Sequence, residues 1–102
     1  MTIIRRRVFY AKVGMAGPLV EHLREYGKLA AEHRTPRKER ILTDYQSGRT
    51  DRVVWEREME DPVERPSRSR SGDDAFRTAA TSWERKMNEM IDYAEVENWT
   101  VQ

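Results

Sequence analysis

The chain has no cysteine, which rules out disulfide staples, thiolate nucleophiles and cysteine metal sites, and with them the disulfide-dense secreted scaffolds. It also has no long apolar run. Hydrophobic residues make up 37% of the 102 and charged residues 36%, and no stretch approaches the roughly 20 apolar residues of a membrane-spanning helix. Neither sign of charge is in excess: 19 Lys and Arg against 18 Asp and Glu leave a formal net charge of +1, too little for a field that gathers nucleic acid or anionic membrane. Met1-Thr2-Ile3-Ile4 leads into Arg5-Arg6-Arg7 with no apolar segment behind the basic run, so a secretory signal is not supported and a cytoplasmic protein is expected.

What is present has the scale of a single domain over residues 1–102 with a thin core, since a small chain buries a low fraction of its surface. Ile3 to Val13 is rich in β-branched and aromatic residues and runs into Gly14 and Gly17-Pro18, the pattern of a strand that stops before a helix. From Pro18, Leu19, Val20, Leu23, Tyr26, Gly27 and Ala30 recur at helical spacing, and the helix should end before Thr35-Pro36. Arg40 to Tyr45 and Asp51 to Met59 are strand-like runs joined by Gln46 to Thr50, a hairpin-sized connection containing Gly48.

Glu60 to Asp73 then loses periodicity and carries Pro62, Pro66 and the Ser67 to Ser71 run, the composition of a flexible loop. Asp73 or Asp74 can cap a second helix, along which Phe76, Ala79, Ala80, Trp83, Met87, Met90, Ile91 and Ala94 fall on one arc. Asn98 to Gln102 supplies a short last strand. The expected fold is therefore α+β, a ferredoxin-like βαββαβ with a four-stranded antiparallel sheet and two helices on one face.

That order, the glycine turn after the first strand, and the hairpin from Ile41-Leu42-Thr43-Asp44 through Gly48 to Val53-Val54-Trp55-Glu56 resemble the dimeric α/β-barrel superfamily, which includes antibiotic-biosynthesis monooxygenase-like and NIPSNAP-like proteins. The resemblance rests on layout and hydrophobic pattern across most of the chain. It implies a homodimer whose two sheets face each other and a pocket beside the sheet, and it implies no reaction.

In this layout the first and third strands are adjacent, so their faces should match. Pairing Val8 with Trp55 sets Ile4 opposite Met59, Tyr10 opposite Val53, Arg5 opposite Glu58 and Arg7 opposite Glu56. An apolar face for the helices then separates from an ionic face of Arg5, Arg7, Glu56 and Glu58, which is expected to meet the second copy. One pairing in this register is poor, Arg6 opposite Arg57, because like charges directly opposite destabilise a sheet.

Candidate chemical groups are few. His22 and His33 lie at the edge of the apolar stripe of helix one without an acidic or histidine companion that would make a metal pair, so no metal is expected and His22 is the candidate proton donor or acceptor. Tyr10, Tyr45, Trp55 and Trp83 could wall an aromatic pocket for a small aromatic or hydrophobic ligand, or simply be core. Arg5-Arg6-Arg7 beside Phe9 and Tyr10 invites comparison with RNA-binding sheets of the same topology, but the glutamates of strand three stand where such modules carry basic and aromatic residues, so nucleic acid is not an expected partner.

No phosphate loop, nucleophile elbow or zinc motif is present, and no cofactor is implied. Two functions stay open: a homodimeric small-molecule enzyme or binding protein that needs no cofactor, and a dimeric structural or interaction module without chemistry.

Overall fold

A computed structural model of the chain describes residues 2–32, 38–46, 49–60 and 74–102. His33 and nearly all of the expected 60–73 loop lie outside the described residues. Six elements follow in order: β1 (Ile3–Ala11), α1 (Ala16–Ala31), β2 (Glu39–Thr43), β3 (Arg52–Met59), α2 (Asp74–Asn88) and β4 (Ile91–Thr100). The strands form one sheet in the order β2-β3-β1-β4 with every neighbour antiparallel. This is the expected α+β ferredoxin-like arrangement.

Local chemistry sets the first boundaries. Gly14 takes φ +79°, a left-handed conformation that glycine adopts without strain, and so turns the chain after β1. The Met15 carbonyl accepts the first helical bond, from Leu19 N at 2.8 Å. Pro18 falls in the first turn of α1, where a missing N–H costs nothing. Leu19 and Leu23 of α1 and Met87 at the end of α2 then pack with Met90 on Phe9, Ala11 and Val53 to form the core. Burying each large side chain contributes roughly 1.5–3 kcal/mol.

The last strand and helix differ from expectation. α2 ends at Asn88, where Glu89 N and Met90 N bond back to the carbonyls of Lys86 and Met87 and close a tight turn. Ile91–Thr100 is a ten-residue strand. Met90, Ile91 and Ala94 lie on the helical arc by coincidence of spacing, whereas Ile91, Tyr93, Val96, Trp99 and Thr100 are the β-branched and aromatic residues that suit a pleated surface.

The register between β1 and β3 is one residue away from the expected one. Ile4 pairs with Glu58, Arg6 with Glu56, Val8 with Val54 and Phe9 with Val53. A one-residue slip moves a whole strand's side chains to the other face. The helices therefore cover Ile3, Phe9 and Ala11 of β1, each under 5% exposed, together with Val53 of β3, while Ile4, Val8 and Tyr10 look away from them. β3 has the expected orientation and β1 the opposite one. The deciding side chain is Phe9, the largest apolar group on the strand, which only the helix side can bury completely.

Candidate functional site

Two groups of side chains stand out, one on each face of the sheet. Between sheet and helices, α1 contributes His22 and Tyr26, α2 contributes Trp83, and β3 contributes Trp55. The His22 and Trp83 rings stack at 4.8 Å with 8° between planes. Tyr26 lies 4.6 Å from Trp83 and meets Trp55 edge-on at 5.4 Å, and the two indoles are 6.1 Å apart. The four rings form one continuous aromatic layer.

His22 and Trp83 also exchange hydrogen bonds. The indole Nε1–H donates to the His22 carbonyl at 2.7 Å, and His22 Nε2 lies 2.8 Å from the Trp83 carbonyl. A carbonyl only accepts, so Nε2 carries the proton and Nδ1 of a neutral ring holds a lone pair. His22 is 4% exposed. Among the described residues its Nδ1 reaches no hydrogen-bond partner, but, contrary to the expectation that His22 has no acidic companion, a carboxylate oxygen of Glu25, one helical turn on, stands 3.5 Å away. A buried polar atom left without a partner is uncommon in folded proteins.

The other face, turned away from the helices, is ordered in rows across the strands. Arg40, Glu56, Arg6 and Glu97 form one row, Leu42, Val54, Val8 and Glu95 the next, and Arg52, Tyr10 and Tyr93 another. The Glu56 side chain is 6% exposed. It accepts from Arg6 Nε at 2.7 Å on one oxygen and from Arg40 Nε on the other. The Arg40 hydrogen bond holds the Glu56 carboxyl below its ordinary range, against the opposing effect of burial and with further help from Arg6.

In the Arg52 row, Asp44 receives both the backbone N–H of Arg52, at 3.0 Å, and its Nε, at 2.8 Å. Burial raises the Asp44 carboxyl, but the bonds from Arg52 outweigh it and the net displacement is downward. Tyr10 stacks on Tyr93 at 4.2 Å, and burial followed by the nearby Glu95 carboxylate raises its phenol.

The expected site residues are distributed accordingly. Trp55 and Trp83 come together between sheet and helices. Tyr10 does not join them, because the register turns it to the opposite face, and Tyr45 is an exposed residue of the turn after β2; the four do not share a wall. Glu56 and Glu58 lie on the open face, but Arg5 and Arg7 lie on the helix side, where Arg5 Nε bonds Asn98 at 3.1 Å. The expected Arg5–Glu58 and Arg7–Glu56 pairs are therefore replaced by Arg6 and Arg40 on Glu56 and by Lys38 at 3.5 Å from Glu58.

His22 is placed at the end of the aromatic layer. Sequence reasoning missed the roles of Arg6, Arg40 and Tyr93. The signal that could have found Arg6 was the Arg6–Arg57 clash, which a one-residue slip replaces by Arg6–Glu56. Among the described residues no group of three or more His, Asp or Glu side chains is placed to hold a metal ion, and no helix is long and apolar enough to cross a membrane.

No protein-family model and no curated protein matches the chain, but solved structures do. An uncharacterised NIPSNAP domain protein from Burkholderia xenovorans is similar with TM-score 0.61 and 13% identity, over 98% of this chain and 94% of that one. A NIPSNAP family protein from Agrobacterium tumefaciens is similar with TM-score 0.67 and 12% identity, over 100% and 94%. A protein from Mycobacterium tuberculosis is similar with TM-score 0.59 and 11% identity, over 100% and 96%. The resemblance to NIPSNAP proteins thus holds along nearly the whole chain at the level of the fold.

Proposed function

We propose that the chain is a homodimeric small-molecule binding protein, with a second copy covering the open sheet face and a flat aromatic or lipid-like ligand entering at the layer of His22, Tyr26, Trp55 and Trp83. The observation that carries the ligand reading is His22 Nδ1, a buried ring nitrogen at the end of an aromatic layer with no hydrogen-bond partner among the described residues. A ligand hydroxyl or amide N–H would satisfy it, and flat rings are suited to slide against indole and phenol faces. If a reaction accompanies binding, His22 is the group placed to accept a proton, with its tautomer set by the Trp83 carbonyl.

The dimer reading rests on the open face. Leu42, Val54 and Val8 form an apolar row there with no layer of the described residues above it, and closing such a face against its own copy is the commonest kind of association. Light scattering at micromolar concentration should return twice the monomer mass, and Val8→Arg, at the centre of the row, should return the monomer with an unchanged circular dichroism spectrum. A wild-type monomer would overturn the dimer.

For the ligand, a thermal-shift screen of flat aromatic and oxidised lipid-like compounds should find some that raise Tm in the wild type and not in His22→Ala. A screen with no such compound would leave the second reading, a dimeric module without chemistry. That reading is favoured by one observation: each of the four rings already packs against another, at 4.6–6.1 Å between centroids.

A further inference from the structure

At one end of the open face, between β2, β3 and β1, lies a depression of about 460 Å³, within the size range of small-ligand sites. Ile4 forms an apolar part of its lining, and Arg6, Lys38, Arg40, Glu56 and Glu58 supply charge. The charges do not cancel. Lys38 faces Glu58 at 3.5 Å, and Glu39 and Arg57, which complete the rim, are cross-strand neighbours. Arg6 and Arg40 share the single Glu56 carboxylate, which leaves one positive charge in excess among the described lining residues.

Glu97, next along the row, is not part of the lining; it accepts the Trp99 indole N–H at 3.1 Å. Glu56 uses only the Nε of each guanidinium. Among the described residues the Nη groups of both have no partner, and the side chains are 40% and 67% exposed.

We propose that this depression binds a small organic monocarboxylate, its head on the Nη groups of Arg6 and Arg40 and its apolar tail along Ile4. Guanidinium forks match the two oxygens of a carboxylate. The buried Glu56 holds both arginines in place beforehand, so less side-chain freedom is lost on binding. One excess positive charge balances a monoanion, whereas a phosphate dianion would leave the site negative. The site is on the opposite side of the sheet from His22 and does not rest on the ligand reading above. It shares the open face with the proposed dimer contact, its Arg40, Glu56 and Arg6 row lying two residues along the strands from Leu42, Val54 and Val8.

The test is a titration of the full-length ¹⁵N-labelled protein with hexanoate, acetate and inorganic phosphate at constant ionic strength. Hexanoate should give saturable shifts at Ile4, Arg6 and Arg40 and bind about tenfold tighter than acetate, because its added methylenes leave water. Arg40→Gln, on the exposed edge strand, should weaken hexanoate about tenfold or more, and Arg40→Lys, which keeps the charge without the fork, should fall between. Three results would overturn the proposal: shifts that do not saturate, phosphate binding tighter than hexanoate, or an Arg40→Gln variant that binds hexanoate normally. Ile4→Ala should weaken hexanoate and leave acetate unchanged, and equal loss of both would remove the tail from the proposal.

Discussion

The same strands build two very different faces. On the helix side, Phe9, Ala11 and Val53 are almost completely covered in a cluster with Leu19, Leu23, Met87 and Met90, and sidedness is decided by volume and burial. On the open side, Val8, Leu42 and Val54 are only partly covered, and the most buried group is a carboxylate held by two arginines. The first face is specified by what it excludes and the second by how its charges are matched. Hydrophobic burial is non-directional and tolerant of detail, whereas a buried carboxylate demands its partners, so the open face is the more exacting about register.

The largest expected effect tests the first half of that contrast. Phe9→Ala should cost about 3–5 kcal/mol of stability, the range for emptying a packed aromatic site, while Val8→Ala, one residue along on the open face, should cost about 1 kcal/mol at dilutions where the proposed dimer is dissociated, because its surroundings in the single chain are half wet. Urea denaturation of both variants gives the comparison directly. Equal losses would mean that the open face is as well packed as the core, which in solution would require a tightly bound second copy. Repeating the measurement across protein concentration separates the cases, since a dimer's stability depends on concentration.

How much of this was legible from residues alone follows from the same contrast. Element order, helix one, and the hairpin were readable because their periodicity and turn residues agree. β3 was readable because Val53 and Trp55 sit on one parity and Glu56 and Glu58 on the other. β1 was not, since both of its faces carry apolar residues: Ile4, Val8 and Tyr10 on one, Ile3, Phe9 and Ala11 on the other. Alternation cannot choose between two mixed faces, and the choice is made by helices that a strand pattern does not contain. The end of helix two was hidden because Met90, Ile91 and Ala94 satisfy both periods. Of the candidate site, the meeting of Trp55 and Trp83 and the position of His22 at the stripe edge followed from helical spacing, while Tyr10 was lost with the register of β1.

A smaller effect separates packing from hydrogen bonding in the aromatic layer. Trp83→Phe keeps a ring against His22 and Tyr26 but removes the indole N–H, leaving the His22 carbonyl only its helical bond and the Trp83 site without its cross-helix donor. A loss of about 1–2 kcal/mol is expected, accompanied by a changed near-ultraviolet circular dichroism signal. If Trp83→Phe proves neutral while Trp83→Ala is severe, the ring contacts alone hold the two helices together and the reciprocal bonds are incidental.

The smallest effect is carried by the open face and is the one that depends on pH. Glu56→Gln keeps the shape of the side chain and removes the charge that holds Arg6 and Arg40. Because both arginines reach solvent, the cost at neutral pH should be about 1 kcal/mol, well short of the loss on breaking a fully buried pair. Glu56 titrates below its ordinary range in the folded protein, so its contribution is complete above the unfolded carboxylate pKa of about 4.3 and is lost as pH falls through the lower folded value. The wild type should therefore exceed Glu56→Gln in stability from neutral pH down to about pH 5, and the two curves should converge in acid. Asp44→Asn should show the same convergence, since its carboxyl is displaced in the same direction by Arg52. A difference between wild type and Glu56→Gln that stays constant into acid would assign the effect to side-chain packing, and the open face would then be specified by burial in the same way as the face beneath the helices.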